Sequence, residues 1–282
     1  MSTNRPSRFA ALLVVGLLAA FVVAPGTAAA ADGMTIAQAE LAMVDALNVN
    51  RTTRGLVPVR IDSRLMAIAR TRSVDMATKN YFSHTQPDGR DVFDLISAQK
   101  ITWYNAGEII AWNDYPTLET SIPAANAGWL NSPPHKAVVV STSYNYVGVG
   151  LALGSNGKKI WTAVYMKGPD RTGARATTAT PTVANGSTTA SKRVTVTWSG
   201  GDVPLQVLTS GFHSYQVQRR VDGGAWTMVW IGTTRQSMTL DLAVKHTYEF
   251  RVAARDKAGN WGAWSLAKAT LAAATGSVVV SR

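Results

Sequence analysis

The sequence contains no cysteine among its 282 residues. This absence excludes thiol nucleophiles, disulfide frameworks, cysteine-ligated zinc and the lipid-anchoring cysteine of bacterial lipoproteins. Long hydrophobic runs are also scarce, because the longest, at residues 9–23, has 15 residues, whereas a membrane-spanning helix needs about 20. Charged residues make up 16% of the chain and hydrophobic residues 46%, a composition that is typical of globular domains and excludes general disorder.

The hydrophobic run at residues 9–23 has the surroundings of a secretory signal peptide. Arg5 and Arg8 precede it, Pro25-Gly26 breaks it, and the alanines at 28–31 offer small residues to a signal peptidase. We therefore predict a signal peptide over residues 1–31 and a secreted, extracellular protein with no transmembrane segment after cleavage. An uncleaved N-terminal anchor is the alternative. Export without cysteine favours a bacterial origin.

Positive charge is concentrated in the second half of the chain. Residues 32–173 contain 14 Lys+Arg and 12 Asp+Glu, whereas residues 174–282 contain 12 and 5. The second half therefore has a surplus of seven positive charges. Nucleic acid is not expected as a partner, because no recognition motif is present and an exported protein encounters little of it. An acidic cell-wall polymer is the more suitable partner for such a surplus.

Residues 32–168 combine helical and strand patterns. Thr35 followed by Gln38 is a capping box, and Asp62 is an N-cap ahead of apolar residues at helical spacing. Both patterns predict helices. The other predicted elements are a helix around residues 124–131, ended by Ser132-Pro133-Pro134, and a hairpin with strands at residues 146–153 and 160–167.

The chain then changes in composition and in period. Residues 169–191 are rich in Thr, Ala, Gly, Ser and Pro, which predicts a linker between two independently folding modules. Over residues 192–275 apolar and polar residues alternate, and Asp222-Gly223-Gly224 marks a hairpin turn. This pattern predicts a small all-β, immunoglobulin-like sandwich, with residues 276–282 as a tail.

Three side chains of the first module suit chemistry: His84, Glu108 and His135. Each stands beside turn residues, and the other histidines, His213 and His246, belong to the second module. Two imidazoles and one carboxylate suit a divalent cation, zinc above all, with water completing the site. Without metal, His84 and Glu108 could act as a general acid–base pair. No local motif such as His-Glu-x-x-His is present, so separate turn histidines bonded to backbone are the alternative.

Six segments of the first module form an ordered set. They are Leu47-Asn48-Val49-Asn50-Arg51, residues 77–84, Pro87-Asp88-Gly89-Arg90, Ala106-Gly107-Glu108, Trp129-Leu130-Asn131-Ser132-Pro133-Pro134-His135 and Val147-Gly148-Val149-Gly150. With this set, residues 37–166 resemble the bacterial branch of the CAP superfamily (cysteine-rich secretory proteins, antigen 5 and pathogenesis-related proteins). The resemblance implies an α/β/α sandwich, secretion and a cleft that can hold a divalent metal.

Carried over by position, His84 and Glu108 match the first histidine and the first glutamate of that cleft, and His135 matches a histidine of bacterial members. The family's second glutamate falls near Ser132, its eukaryotic second histidine at Ile160, and its asparagine after the glutamate at Ile109. An isoleucine in a polar cleft weakens catalysis more than binding. We therefore expect a protein that binds a divalent metal, or an apolar or cell-envelope ligand. The alternative is a metal-dependent extracellular hydrolase of peptide or envelope bonds, with Glu108 as proton acceptor.

The second module resembles a fibronectin type III domain over residues 181–271. Trp198 falls in an early strand, and Leu240 followed by Tyr248 resembles the tyrosine corner. The resemblance implies a module without catalytic residues, suited to attachment to a surface or matrix. Its arginines could face anionic cell-wall polysaccharide, and its tryptophans could stack on sugar rings. Alternatively, the aromatic residues fill the sandwich and the arginines form its solvated face.

Overall fold

The computed structural model describes residues 33–272; the predicted signal peptide and the tail at residues 276–282 lie outside this range. The helices are α1 (Ile36–Thr52), α2 (Ser63–Lys79), α3 (Val92–Ala98), α4 (Leu118–Asn131) and α5 (Pro133–Val139). The strands are β1 (Arg60–Ile61), β2 (Asn105–Asn113), β3 (Tyr146–Leu153), β4 (Lys159–Lys167), β5 (Arg175–Thr178), β6 (Thr182–Asn185), β7 (Ser191–Gly201), β8 (Phe212–Val221), β9 (Thr227–Thr233), β10 (Ser237–Ala243), β11 (Thr247–Asp256) and β12 (Ser265–Thr270). No helix within residues 33–272 is long and apolar enough to cross a membrane.

The first unit is built on a four-stranded sheet in the order β1-β3-β4-β2. Strand β1 runs parallel to β3, and the other pairs are antiparallel. Helices α2 and α3 cover one face of the sheet, and helices α1 and α4 cover the other, each over its own hydrophobic cluster. The mixed α+β architecture expected from the sequence is confirmed, and β2 is left as an edge strand.

Two glycines in β3 allow α2 to lie directly on the sheet. A Cβ atom at Gly148 would lie 2.1 Å from the carbonyl carbon of Leu65, and one at Gly150 would lie 2.2 Å from that of Ala69. Because side chains alternate along a strand, Val147 and Val149 point to the opposite face, where they are fully buried. The alternation of Val and Gly in β3 is therefore a packing requirement of α2.

The predicted starts of α1 and α2 are correct, but two helices differ from expectation. Thr35 and Gln38 cap each other at α1, and the Asp62 side chain accepts from the Arg64 amide at α2. Helix α4 begins at Leu118, before the predicted start, because Thr117 forms a capping box with Thr120. Helix α4 ends at Asn131 as predicted, but a second helix, α5, which was not predicted, begins at Pro133. Proline is well suited to the first position of a helix, because the amide hydrogen that it lacks has no partner there.

The second unit contains two antiparallel sheets that share one core. One sheet has the order β10-β7-β5, with β6 also paired to β7, and the other has the order β12-β11-β8-β9. Trp198 of β7 and Phe250 of β11 belong to the same buried cluster, so the inner faces of the two sheets pack together. The predicted turn at Asp222-Gly223 has positive φ at both residues, 49° and 74°, as a type I′ turn requires, and β9 begins further on, at Thr227.

The segment at residues 169–191 is not the free linker that its composition predicts. Strands β5 and β6 lie within it and pair with β7, and Ala174 and Ala176 are buried in the core of the second unit. Composition is a poor guide here because backbone hydrogen bonds and small side chains, rather than large apolar residues, hold these edge strands.

The loop between β7 and β8 is anchored on the first unit. Leu205 is 5% exposed and belongs to the hydrophobic cluster beneath α2. The side-chain oxygen of Gln206 accepts from the Val57 amide at 2.8 Å, and the Asn145 side chain donates to the Val207 carbonyl at 3.1 Å. The two units therefore share a packed contact. Its residues in the second unit belong to the β7–β8 loop and not to the segment that connects the two units along the chain.

Candidate functional site

Glu108 lies in the middle of the edge strand β2, and not beside a turn as the sequence analysis expected. It pairs in register with Val164 of β4, and its side chain is 3% exposed. The next residue, Ile109, points to the opposite face and is buried in the cluster beneath α1 and α4. The replacement of asparagine by Ile109 is therefore a core feature and does not change the surroundings of Glu108, contrary to the expectation above.

The buried guanidinium of Arg72 binds Glu108. Arg72 Nε donates to Glu108 Oε1 at 2.8 Å, and the Arg72 side chain is 0% exposed. Burial alone would lower the pKa of Arg72, but the hydrogen bond and charge of Glu108 outweigh it and raise that pKa. The same guanidinium donates to the backbone carbonyls of Ser83 at 2.6 Å and His84 at 3.0 Å. Arg72 therefore joins helix α2, strand β2 and the loop that carries His84.

A second contact of Arg72 fixes the start of this loop. Arg72 Nη1 donates to the Tyr81 hydroxyl at 2.9 Å, and that hydroxyl donates to Asp75 Oδ2 at 2.5 Å. Desolvation, followed by the hydrogen bond to Asp75, raises the pKa of Tyr81 to about 12. The phenol thus keeps its proton at neutral pH and remains a donor to Asp75. The chain from Tyr81 to His84 is held at both ends by one arginine.

His84 is oriented by Glu108. His84 Nδ1 lies 2.7 Å from Glu108 Oε2, while the imidazole side chain is 54% exposed. An ionised carboxylate can only accept, so Nδ1 carries the proton and Nε2 carries the lone pair in the neutral ring. Both Glu108 oxygens are occupied, one by Arg72 and the other by His84. The free Nε2 of His84 is therefore the ligand atom that this arrangement offers.

His135 lies next to His84, although it is part of the short helix α5 and not of a turn. The centroids of the two imidazole rings are 6.4 Å apart, and the ring planes are inclined at 52°. Burial, and secondly the nearby charge of His84, lower the pKa of His135. A lowered pKa favours the neutral imidazole at pH 7, which is the form that binds metal ions.

The three predicted site residues thus lie at one edge of the sheet, with unequal contacts. Glu108 touches His84, and His135 faces His84. In residues 33–272 the group of three acidic or histidine side chains whose ligand atoms lie within 4.8 Å of one another is Asp170, Asp202 and Asp256, and not the predicted triad.

Ser132 and Ile160, which occupy two further cleft positions of the family, contribute nothing to this edge of the sheet. Ser132 joins α4 to α5 without a side-chain cap bond, and Ile160 packs against Met76 and Ile110. In the second unit, His213 contacts its neighbour Ser214 and His246 contacts Asp222. Sequence analysis missed Arg72, although a signal existed. Arg72 stands at helical spacing on the same face of α2 as the buried residues Leu65, Ala69 and Met76.

Comparisons with known proteins agree on the first unit. Residues 44–165 match the family model CAP, the cysteine-rich secretory protein family. The chain is 32% identical over 148 residues to the uncharacterized protein YkwD of Bacillus subtilis and 33% identical over 112 residues to the uncharacterized membrane protein YlbC of the same organism. These matches cover 51% and 40% of this chain, but only 54% and 31% of those proteins.

A similar solved structure is that of an extracellular protein containing an SCP domain from Bacillus anthracis. It is 27% identical with a TM-score of 0.40, and the match covers 46% of this chain and 40% of that one.

Proposed function

We propose that this protein, whose residues 44–165 are a CAP domain, is a secreted bacterial binding protein that holds a divalent cation between His84 and His135. The observation that carries this proposal is the pairing of two imidazoles next to a carboxylate that is already committed to orienting one of them. Secretion is supported by the N-terminal export pattern in the sequence and by the secretory family to which the CAP domain belongs.

The geometry of the two rings fits a shared metal ion. Imidazoles that bind one zinc ion at the usual Zn–N distance of about 2 Å have ring centroids roughly 5 to 6 Å apart. The centroids of His84 and His135 are 6.4 Å apart, close to the separation that one shared ion requires. Water would complete the coordination, because the protein supplies two nitrogen ligands.

Glu108 has a different role from the one expected of it as a ligand. A carboxylate that accepts from the second nitrogen of a ligating histidine fixes the tautomer and the orientation of that ring. Glu108 has this relation to His84 at 2.7 Å. Arg72 holds Glu108 in turn, so the histidine is preorganised by two buried side chains that do not need to touch the cation.

The same contacts favour binding over the alternative of metal-dependent hydrolysis. A hydrolase would need Glu108 to accept a proton from water, yet its side chain is only 3% exposed and is paired with the cation of Arg72. The binding site would recognise an apolar or cell-envelope ligand. This ligand would have to bind at the exposed side of the two imidazoles.

For the second unit we propose a fibronectin type III-like sandwich that attaches the protein to a surface or matrix. The facing sheets β10-β7-β5 and β12-β11-β8-β9 support this fold. The Tyr248 hydroxyl donates to the Ala243 carbonyl at 3.3 Å, the contact expected of a tyrosine corner.

Zinc titration by calorimetry on residues 32–282 tests the cation site. We expect one zinc ion per chain for the parent protein, with no uptake by His84→Ala or His135→Ala and with unchanged uptake by the control His213→Ala. Glu108→Gln should weaken binding by about 10- to 100-fold, as loss of an orienting partner does. Because only neutral imidazole binds metal, affinity should fall in acid, and the lowered pKa of His135 places the protonation of that ligand below its ordinary value of about 6.5. Full zinc uptake by the His135→Ala variant would contradict the proposal.

A further inference from the structure

We propose that the outer face of the sheet β12-β11-β8-β9 binds an acidic polysaccharide through a stack of arginine and tryptophan side chains. This inference rests on the proposed attachment role of the second unit and names the surface and the ligand class for it. The Arg–Trp face comprises Arg220, Trp226, Arg251, Arg255, Trp261 and Trp264. Arg251 and Arg255 face outward because Phe250, Val252 and Ala254, which alternate with them in β11, fill the core. The three tryptophans lie against these two arginines, and Arg220 lies against Trp226.

The central part of this face is an alternating four-membered stack. The guanidinium carbon of Arg220 lies 4.6 Å from the ring centroid of Trp226, and that of Arg251 lies 4.3 Å from Trp226 and 4.3 Å from Trp264. Further along β11, Arg255 lies 5.6 Å from Trp261. Each guanidinium thus lies over an aromatic ring, which reduces the conformational entropy that it would lose on binding a ligand.

The stacked guanidinium groups keep free donors. Arg251 uses Nε and Nη2 on the side-chain oxygen of Gln218, at 2.8 and 2.5 Å, and Arg220 uses Nε on Glu249 at 2.7 Å. Within the described chain, Arg251 Nη1 and both terminal nitrogens of Arg220 make no hydrogen bond. The free terminal edge of Arg220 can bind a carboxylate through paired hydrogen bonds, and Arg251 can donate to a carboxylate from Nη1.

Charge and apolar surface on this face point to the same ligand class. Four cations, Arg220, Arg251, Arg255 and Lys268, face outward together with one carboxylate, Glu249. Leu266, which pairs with Arg251 in register, is 63% exposed.

An acidic polysaccharide combines carboxylates with the apolar faces of sugar rings, and such rings can pack on the exposed side chains of Trp261 and Leu266. Along β11, Arg251 and Arg255 are four residues apart, or about 13 Å, so one oligosaccharide can contact both.

Binding of polygalacturonate to residues 32–282, measured by biolayer interferometry at low ionic strength, tests this inference. We expect the double variant Arg220→Gln/Arg251→Gln to lose at least tenfold in affinity. The matched control Arg175→Gln/Arg193→Gln, which removes the same charge from the opposite sheet, should change affinity by less than twofold. Neutral dextran should not bind, and binding of polygalacturonate should weaken with added salt.

Further variants keep the test decisive. If the double variant unfolds, as judged by circular dichroism, Lys268→Glu at an exposed edge position should still weaken binding. Equal losses in the Arg175/Arg193 control, equal binding of dextran, or tighter binding of double-stranded DNA would each overturn the inference. His84→Ala should retain full polysaccharide binding, so failure of the cation site and failure of this surface are distinguishable.

Discussion

Replacing Arg72 with methionine removes the cation that neutralises Glu108. Arg72 and Glu108 are 0% and 3% exposed, so water cannot take over the role of the guanidinium. Breaking a buried ion pair by removing one partner costs about 3–5 kcal/mol, because the other charge stays buried without compensation. Arg72→Met also leaves the Ser83 and His84 carbonyls without their donor. A loss of about 3–5 kcal/mol is large compared with a typical unfolding free energy of about 5–15 kcal/mol.

Urea denaturation at pH 7, followed by tryptophan fluorescence, measures this loss. We expect Arg72→Met to lower the free energy of unfolding by about 3–5 kcal/mol, and the double variant Arg72→Met/Glu108→Gln to recover part of it, because the unpaired charge is gone. The control Arg90→Met removes an exposed pair with Asp88 and should leave stability nearly unchanged. If Arg72→Met costs no more than Arg90→Met, the pair is solvated and the reasoning about Glu108 is wrong.

Two further predictions concern packing. Leu205→Ala should lower the unfolding free energy of the whole chain by about 2–5 kcal/mol, as for other buried leucines. A loss of unfolding free energy that is limited to the second unit would mean that the anchored loop does not stabilise the first unit. Leu153→Ala, at an exposed leucine, is the control. Gly148→Ala, whose new Cβ would lie 2.1 Å from the Leu65 carbonyl carbon, should destabilise by about 3 kcal/mol or more. Gly128→Ala, in helix α4 with no atom within 4 Å, should stabilise by up to about 1 kcal/mol. Thermal and urea denaturation of each variant provide the comparison.

The fold could be predicted from sequence where local signals are strong. The capping residues Thr35 and Asp62 start α1 and α2 as expected. The prediction failed at residues 169–191, where strands β5 and β6 depend on pairing with β7, a partner that local composition does not reveal. Strand β2 was missed for a related reason. Its pattern is interrupted by Gly107 and by Glu108, and its strand character comes from pairing with β4.

The site could be predicted only as a set of residue types. His84, Glu108 and His135 were identified as candidates, but their relation to one another depends on tertiary contacts. Sequence alone could not show that Glu108 is bound by Arg72, since the two residues are 36 positions apart and belong to different elements. In the proposed site, that contact makes Glu108 a residue that orients His84 rather than a cation ligand.

The two edges of the central sheet have different roles. The β2 edge carries Glu108 and its contacts with Arg72 and His84, whereas the region of β1 is covered by the loop from the second unit. There, Arg60 donates to the Pro204 carbonyl at 3.4 Å and Val57 donates to Gln206. Because Leu205 is buried in the core beneath α2, the second unit is fixed to the CAP domain at the edge away from the histidines. The two proposed binding sites therefore lie on different units, with the cation site at the β2 edge of the first unit and the Arg–Trp face on the sheet β12-β11-β8-β9 of the second.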